Sequence, residues 1–335
     1  MIHSITLNNE TKRWKKEQND SIRDPRSLLN YLKLPESMLS EIELAHKLFP
    51  IRVTKSYLSR IEKNNPFDPL LLQVLPSLKE LDQNDNYSSD PVGDKAAEII
   101  PGLLQKYHGR VLLTLTGACG VHCRYCFRRH FDYRASNPLS TNWHKCIEYI
   151  NQEKQLFEVI LSGGDPLSLS DDKLSTIASD IESIPHIELL RIHSRQPIIS
   201  PSRINKEFLK WTTNSRLKII LVLHINHSNE IDEQVSDMLY TLNNHNIQLL
   251  NQSVLLSGIN DDLDTLHQLS RKLIQNNVLP YYLHLLDKTQ GVSHFDVNKE
   301  RAKKLITDLQ SRLPGYLVPK LVEEIPGETH KTNVI

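Results

Sequence analysis

Short apolar runs rich in β-branched residues recur along most of this chain, about thirty residues apart. They fall at 111–116 (VLLTLT), 157–161 (FEVIL), 187–193 (IELLRIH), 217–224 (LKIILVLH), 247–253 (IQLLNQS) and 279–285 (LPYYLHL). Amphipathic stretches separate them near 141–153, 171–183, 204–213, 231–244 and 261–275, and another covers 298–312 after the last run. Short strands alternating with helices read as βα units and a parallel sheet. Right-handed crossovers curl such units in one direction. Six of them predict an α/β fold, an open partial (β/α)6 barrel. A doubly wound flat sheet uses the same alternation and stands as the alternative.

The two ends follow other patterns. Within residues 1–95, the stretches PRSLLNYLKL, ESMLSEIELAHKL and DPLLLQVLPSLKEL look helical, with Pro-containing breaks, and QNDNYSSDPVGD (83–94) reads as a connecting loop. The last fifteen residues, LVEEIPGETHKTNVI, have no helical period. The predicted organisation is a helical extension over 1–95, the barrel over 96–315 and a C-terminal segment over 316–335.

Composition narrows the function classes. Acidic and basic residues balance at 40 each over 335 residues, so the total charge points to neither nucleic acid nor an anionic membrane. No apolar run approaches the roughly 20 residues of a membrane span. The start, MIHSITLNNETKRWKKEQND, is polar and lacks a signal-peptide core.

Three of the four cysteines, Cys119, Cys123 and Cys126, sit in the run TGACGVHCRYCFRR. Three thiolates on one short loop can hold three irons of a cubane [4Fe–4S] cluster and leave the fourth iron open to a small molecule. Structural zinc usually takes four Cys or His ligands in paired units; Cys146 is the spare thiol, and His122, His130 and His144 keep zinc as an alternative. A disulfide framework does not suit few, clustered cysteines without a secretory signal. Thiols that must stay reduced for a cluster imply the cytoplasm.

Each predicted strand runs at once into polar residues: the cysteine loop, Ser162-Gly163-Gly164-Asp165, His193-Ser194-Arg195, His224 with Asn226 and His227, Asn251-Gln252-Ser253, and His284 with Asp287. In a parallel βα barrel those strand ends gather on one face, where active sites form. The cysteine loop followed by a Gly-Gly-acid turn resembles the radical S-adenosylmethionine (SAM) enzymes. The longer strings RVLLTLTGACGVHCRYCFRRHF, LSGGDPL, NQSVLLSGIND and PYYLHLLDKTQGVSHF, and a C-terminal Pro-Gly-x-x-x-Lys, resemble the lysine 2,3-aminomutases from about Pro66 to Lys331.

That resemblance implies a set of roles. Cys119, Cys123 and Cys126 ligate the cluster. Gly163 and Gly164 let the backbone approach SAM, Asp165 accepts from its ammonium, and His224 and Gln252 lie nearby. Lys331 holds pyridoxal phosphate (PLP), with Lys106, Tyr107 and Arg110 around its phosphate. Arg128 binds the lysine carboxylate, and Asp287 and Glu324 receive its distal ammonium. Read alone, the Ser-Gly-Gly-Asp string is a tight turn, His224 a core histidine, Lys331 a tail lysine, and the two acids solvated charges. Two acids at that end argue for a cationic substrate and against glutamate. The resemblance implies a PLP-dependent isomerase that makes β-lysine using a radical from SAM, an external electron donor and L-lysine. The short-chain members it most resembles imply a link to elongation factor P and its lysyl ligase; β-lysine for another fate is the alternative, and homo-oligomerisation stays open.

Overall fold

The computed structural model describes residues 13–335; residues 1–12, part of the polar start read above, lie outside that description. Among the described residues, ten strands pair in chain order in one sheet. Two short strands lead in: β1 (Glu98–Ile100) pairs antiparallel with β2 (Leu103–Leu104), and β2 pairs antiparallel with β3 (Arg110–Thr114). From β3 the sheet is parallel through β4 (Glu158–Ser162), β5 (Leu189–Ser194), β6 (Lys218–His224), β7 (Gln248–Val254), β8 (Leu279–His284) and β9 (Lys320–Glu323). A final β10 (Thr332–Asn333) turns back against β9.

Strands β3 to β8 are the six predicted from the apolar runs. β9 and β10 lie in the tail that showed no helical period. A four-residue run between Pro319 and Pro326 is too short to show an alternation, and only pairing with β8, Leu283 opposite Leu321, makes it a strand.

Each amphipathic stretch supplies one crossover helix, and α1 and α2 belong to the N-terminal extension: α1 (Pro25–Leu32), α2 (Leu39–Leu48), α3 (Trp143–Gln152), α4 (Asp171–Glu182), α5 (Lys206–Thr213), α6 (Glu233–Asn244), α7 (Leu263–Gln275) and α8 (Lys299–Gln310). Asn205, Asp232, Asp262 and Asn298 each cap the third amide of the helix that follows. No helix among the described residues is long and apolar enough to cross a membrane.

Strand alternation decides which side chains meet the site. Leu113, Leu161, Ile192, Leu221 and Leu249 are in register across five strands and pack into the buried core beneath the helices. Residues of the opposite phase, among them Leu112, Ile160, Arg191, His193, His224 and Gln252, line one cavity. The sheet therefore curls around that cavity. Its edges do not pair, yet Lys106, just before β3, reaches Glu324, just after β9, at 2.7 Å.

The extension departs from its sequence pattern in one place. Its third helical stretch breaks at Pro76 into one-turn pieces, Pro69–Leu72 and Leu78–Leu81, the second capped by Ser77. The extension has its own core around Leu28, Leu32, Tyr57 and Leu70, which takes in Val121 of the cysteine loop and Ile199 after β5.

Candidate active site

The cavity, about 460 Å³, is lined from the cysteine loop to Lys331. Cys119, Cys123 and Cys126 are free and half-buried on its wall. Burial pushes Cys119 well up, with Asp165 and the other two thiols adding to it; burial and Cys123 push Cys126 up to about 11. A bound cationic cluster relieves both effects, so the loop suits one. Cys146 lies elsewhere, on the buried face of α3 in the core. His122 Nδ1 sits 2.8 Å from the Pro50 carbonyl and His130 Nε2 3.2 Å from that of Gln290. Among the described residues no three His, Cys, Asp or Glu side chains converge to hold a single metal ion; a cubane instead spreads its thiolates over separate irons.

The Ser-Gly-Gly-Asp turn is zipped onto the cysteine loop. Gly164 N donates to Thr116 O at 2.6 Å and Asp165 N to Ala118 O at 2.8 Å. A Cβ on Gly163 would stand 2.6 Å from Thr116 O, and one on Gly164 2.7 Å from Ala118 O. The two glycines thus admit a close approach, and the partner on that side is the loop backbone. Asp165 differs from its expected role. Its oxygens accept from Leu167 N (3.0 Å), Ser194 Oγ (2.7 Å), Arg195 N (2.8 Å) and Gln196 N (2.9 Å). Four donors fill a carboxylate's usual capacity, so Asp165 ties β4 to the turn after β5. Burial raises its carboxyl to about 6 against those bonds.

His224 and Gln252 line the cavity at the ends of β6 and β7. His224 Nε2 lies 3.0 Å from the Tyr125 hydroxyl, and burial, then Arg195, lowers its pKa to about 3, which keeps it neutral.

The other side of the cavity holds a chain of alternating charges. Arg128 Nε donates to Asp94 Oδ2 at 2.7 Å and its Nη1 to Ser162 Oγ at 3.1 Å. Lys106 lies 2.6 Å from Asp94 and 2.7 Å from Glu324, and Lys331 also donates to Glu324. Burial opposes ionisation of Asp94 and Glu324, but the cations outweigh it and hold both near pKa 2. Lys106 therefore faces carboxylates and the Val92 carbonyl, away from its expected place at a phosphate. Arg110 stacks over Tyr107 at 4.9 Å and makes no ion pair among the described residues. The Asp287 side chain makes no hydrogen bond among the described residues. Burial first, then Glu324, pushes it up to about 7.

Sequence reading missed Asp94, which orients Arg128, because it falls in a stretch read as plain loop. It also assigned nothing to Arg191, which pairs with Glu158 inside the curl; a charge inside an apolar strand run was the available signal.

Several known proteins are similar to this chain. Residues 108–188 match the 4Fe-4S single cluster domain family. The chain is 46% identical to an L-lysine 2,3-aminomutase of Haemophilus influenzae over 96% of each sequence. It is 45% identical to an L-lysine 2,3-aminomutase of Escherichia coli over 99% of this chain and 97% of that one. Among solved structures, Streptococcus suis SuiB bound to S-adenosylmethionine aligns over 66% of this chain and 51% of its own, at 14% identity and a TM-score of 0.49.

Proposed function

Because the chain belongs to the L-lysine 2,3-aminomutase family, we propose that its cavity binds L-lysine and moves the 2-amino group to C3, giving β-lysine. The protein is an isomerase of the intramolecular aminotransferase kind. The observation that carries the site reading is the Lys331 ammonium resting on Glu324, with Asp287 close enough to feel both charges. In this reading a lysine ε-ammonium rests where the substrate's distal ammonium would bind.

Cys119, Cys123 and Cys126 would hold the cluster, and Gly163, Gly164, His224 and Gln252 would border SAM. Lys331 would hold PLP, with Tyr107 and Arg110, which has no ion-pair partner among the described residues, at its phosphate, a dianion that suits an arginine fork. When bound, the cluster and SAM supply the hydrogen-abstracting radical and PLP carries the migrating amine.

The chain's own residues do the rest. Asp94 and Ser162 fix the Arg128 fork, whose Nη2 makes no hydrogen bond among the described residues and would face the substrate carboxylate. Lys331 must release Glu324 to hold PLP, which frees Glu324 for the substrate ammonium. His224 stays neutral beside Tyr125 and adds no charge near SAM. We also propose that the β-lysine product serves the modification of elongation factor P, a reading that rests on the motif resemblance given above.

Anaerobic incubation with L-lysine, SAM, PLP and dithionite tests the reaction, with the product identified by chromatography and mass spectrometry. β-Lysine is expected. Cys123→Ala should lose iron and turnover, while Cys146→Ala keeps both. No conversion by a protein carrying a full cluster, or equal iron loss in the two variants, overturns the reading.

A further inference from the structure

Arg195 stands at the turn after β5, and its charge is nearly sealed from solvent, 6% exposed. Among the described residues it is the one side chain that donates to a thiol of the cysteine loop: Nη1 lies 2.8 Å from Cys123 Sγ and also donates to the Tyr125 hydroxyl. Three elements keep it there. Nη2 donates to Gln73 Oε1 at 2.7 Å and to Tyr57 OH at 3.2 Å, both from the extension, and to Glu230 Oε2 at 2.8 Å after β6. Its backbone amide is tied to Asp165. Glu230 is itself locked by the amides of Asn226 and His227. The guanidinium therefore cannot swing away from the sulfur without breaking buried hydrogen bonds.

We propose that Arg195 sets the redox poise of the cluster held by this loop, through its N–H···S hydrogen bond to Cys123. The inference rests on the proposed cluster. Reduction adds one electron from a low-potential one-electron donor, and no bond at Arg195 forms or breaks and no proton moves. The added negative charge falls partly on the ligating sulfurs, so a fixed cationic donor favours the reduced form and raises the potential. Glu230 opposes this from the far side of the guanidinium. Arg195 touches the ligand, not the substrate, and is a positioning and tuning residue.

The test uses full-length wild type, Arg195→Gln, Arg195→Lys and Glu230→Gln, reconstituted anaerobically with iron and sulfide, without SAM or lysine. Iron and sulfide are counted, and the cluster is titrated against dithionite-poised mediators by visible absorbance and electron paramagnetic resonance. Among cluster-loaded protein, Arg195→Gln should be harder to reduce than wild type, Arg195→Lys intermediate, and Glu230→Gln easier. A purely structural arginine would lower occupancy but leave the potential of the loaded fraction in place. Arg195→Gln titrating with wild type overturns the inference, as does Glu230→Gln shifting the same way as Arg195→Gln. If Arg195→Gln holds no cluster, Arg195→Lys and Glu230→Gln decide, and unchanged potentials in both overturn it. Wild type without a cluster would instead overturn the functional reading itself.

Discussion

Burial and the neighbouring Glu324 carboxylate push the Asp287 carboxyl from its ordinary range up to about 7. With these neighbours Asp287 is therefore neutral below that pH and ionised above it. Binding a lysine ammonium must expel the proton when the pH is low. Lysine KM is expected to rise as pH falls below 7, by up to about tenfold per unit. Asp287→Asn should bind lysine weakly at every pH and lose this rise; the same slope in the variant would remove Asp287 from the ammonium site. The shift has a stability consequence of opposite sense. The folded state holds a proton that the unfolded chain gives up near its ordinary carboxylate pKa, so this group's contribution declines as pH rises toward 7.

At the scale of elements, the active-site wall is two loops fastened backbone to backbone. Gly163 sits at φ +124°, a conformation open mainly to glycine, with Thr116 O where a Cβ would go. Gly163→Ala should cost about 1–3 kcal/mol of strain and displace the cysteine loop, lowering both the denaturation midpoint and bound iron. Gly315→Ala, where a Cβ meets nothing within 4 Å, is the control and should leave both unchanged. Wild-type iron in Gly163→Ala would mean that the turn does not hold the loop.

Across the whole molecule, the extension reaches over the barrel to hold the cysteine loop. His122 N donates to Arg52 O and Arg124 N to Gln73 O, both at 2.9 Å. Glu80, fully buried, accepts from Arg124 at 2.8 and 2.5 Å and from Arg129 at 2.8 Å. Glu80→Ala leaves two buried cations without their partner and should destabilise the fold by about 3–5 kcal/mol. Arg124 lies between two of the cysteines, so iron should fall as well. Glu80→Gln, which keeps acceptor and shape, should lose less in urea unfolding. If Glu80→Ala unfolds with wild type, the extension does not anchor the loop through this pair.

The strand runs from Val111 to Leu285, the helices between them and the α/β parallel architecture were legible in the sequence, because periods of two and 3.6 residues are local properties of the chain. The candidate residues were marked by the resemblance and, for several of them, by their place on strand ends, and the structure brings them to one cavity. Their partners were not. Lys106 turned to Asp94 and Glu324, Asp165 spent on the β5 turn, Asp94 behind Arg128, and β9 built from a proline-flanked tail all depend on which distant segments meet. Lys106 and Glu324 are 218 positions apart, and their 2.7 Å contact exists only because a curled sheet brings its first and last parallel strands together. Periodicity sets the phase of each strand; closure of the curl alone decides which charges face each other across the cavity.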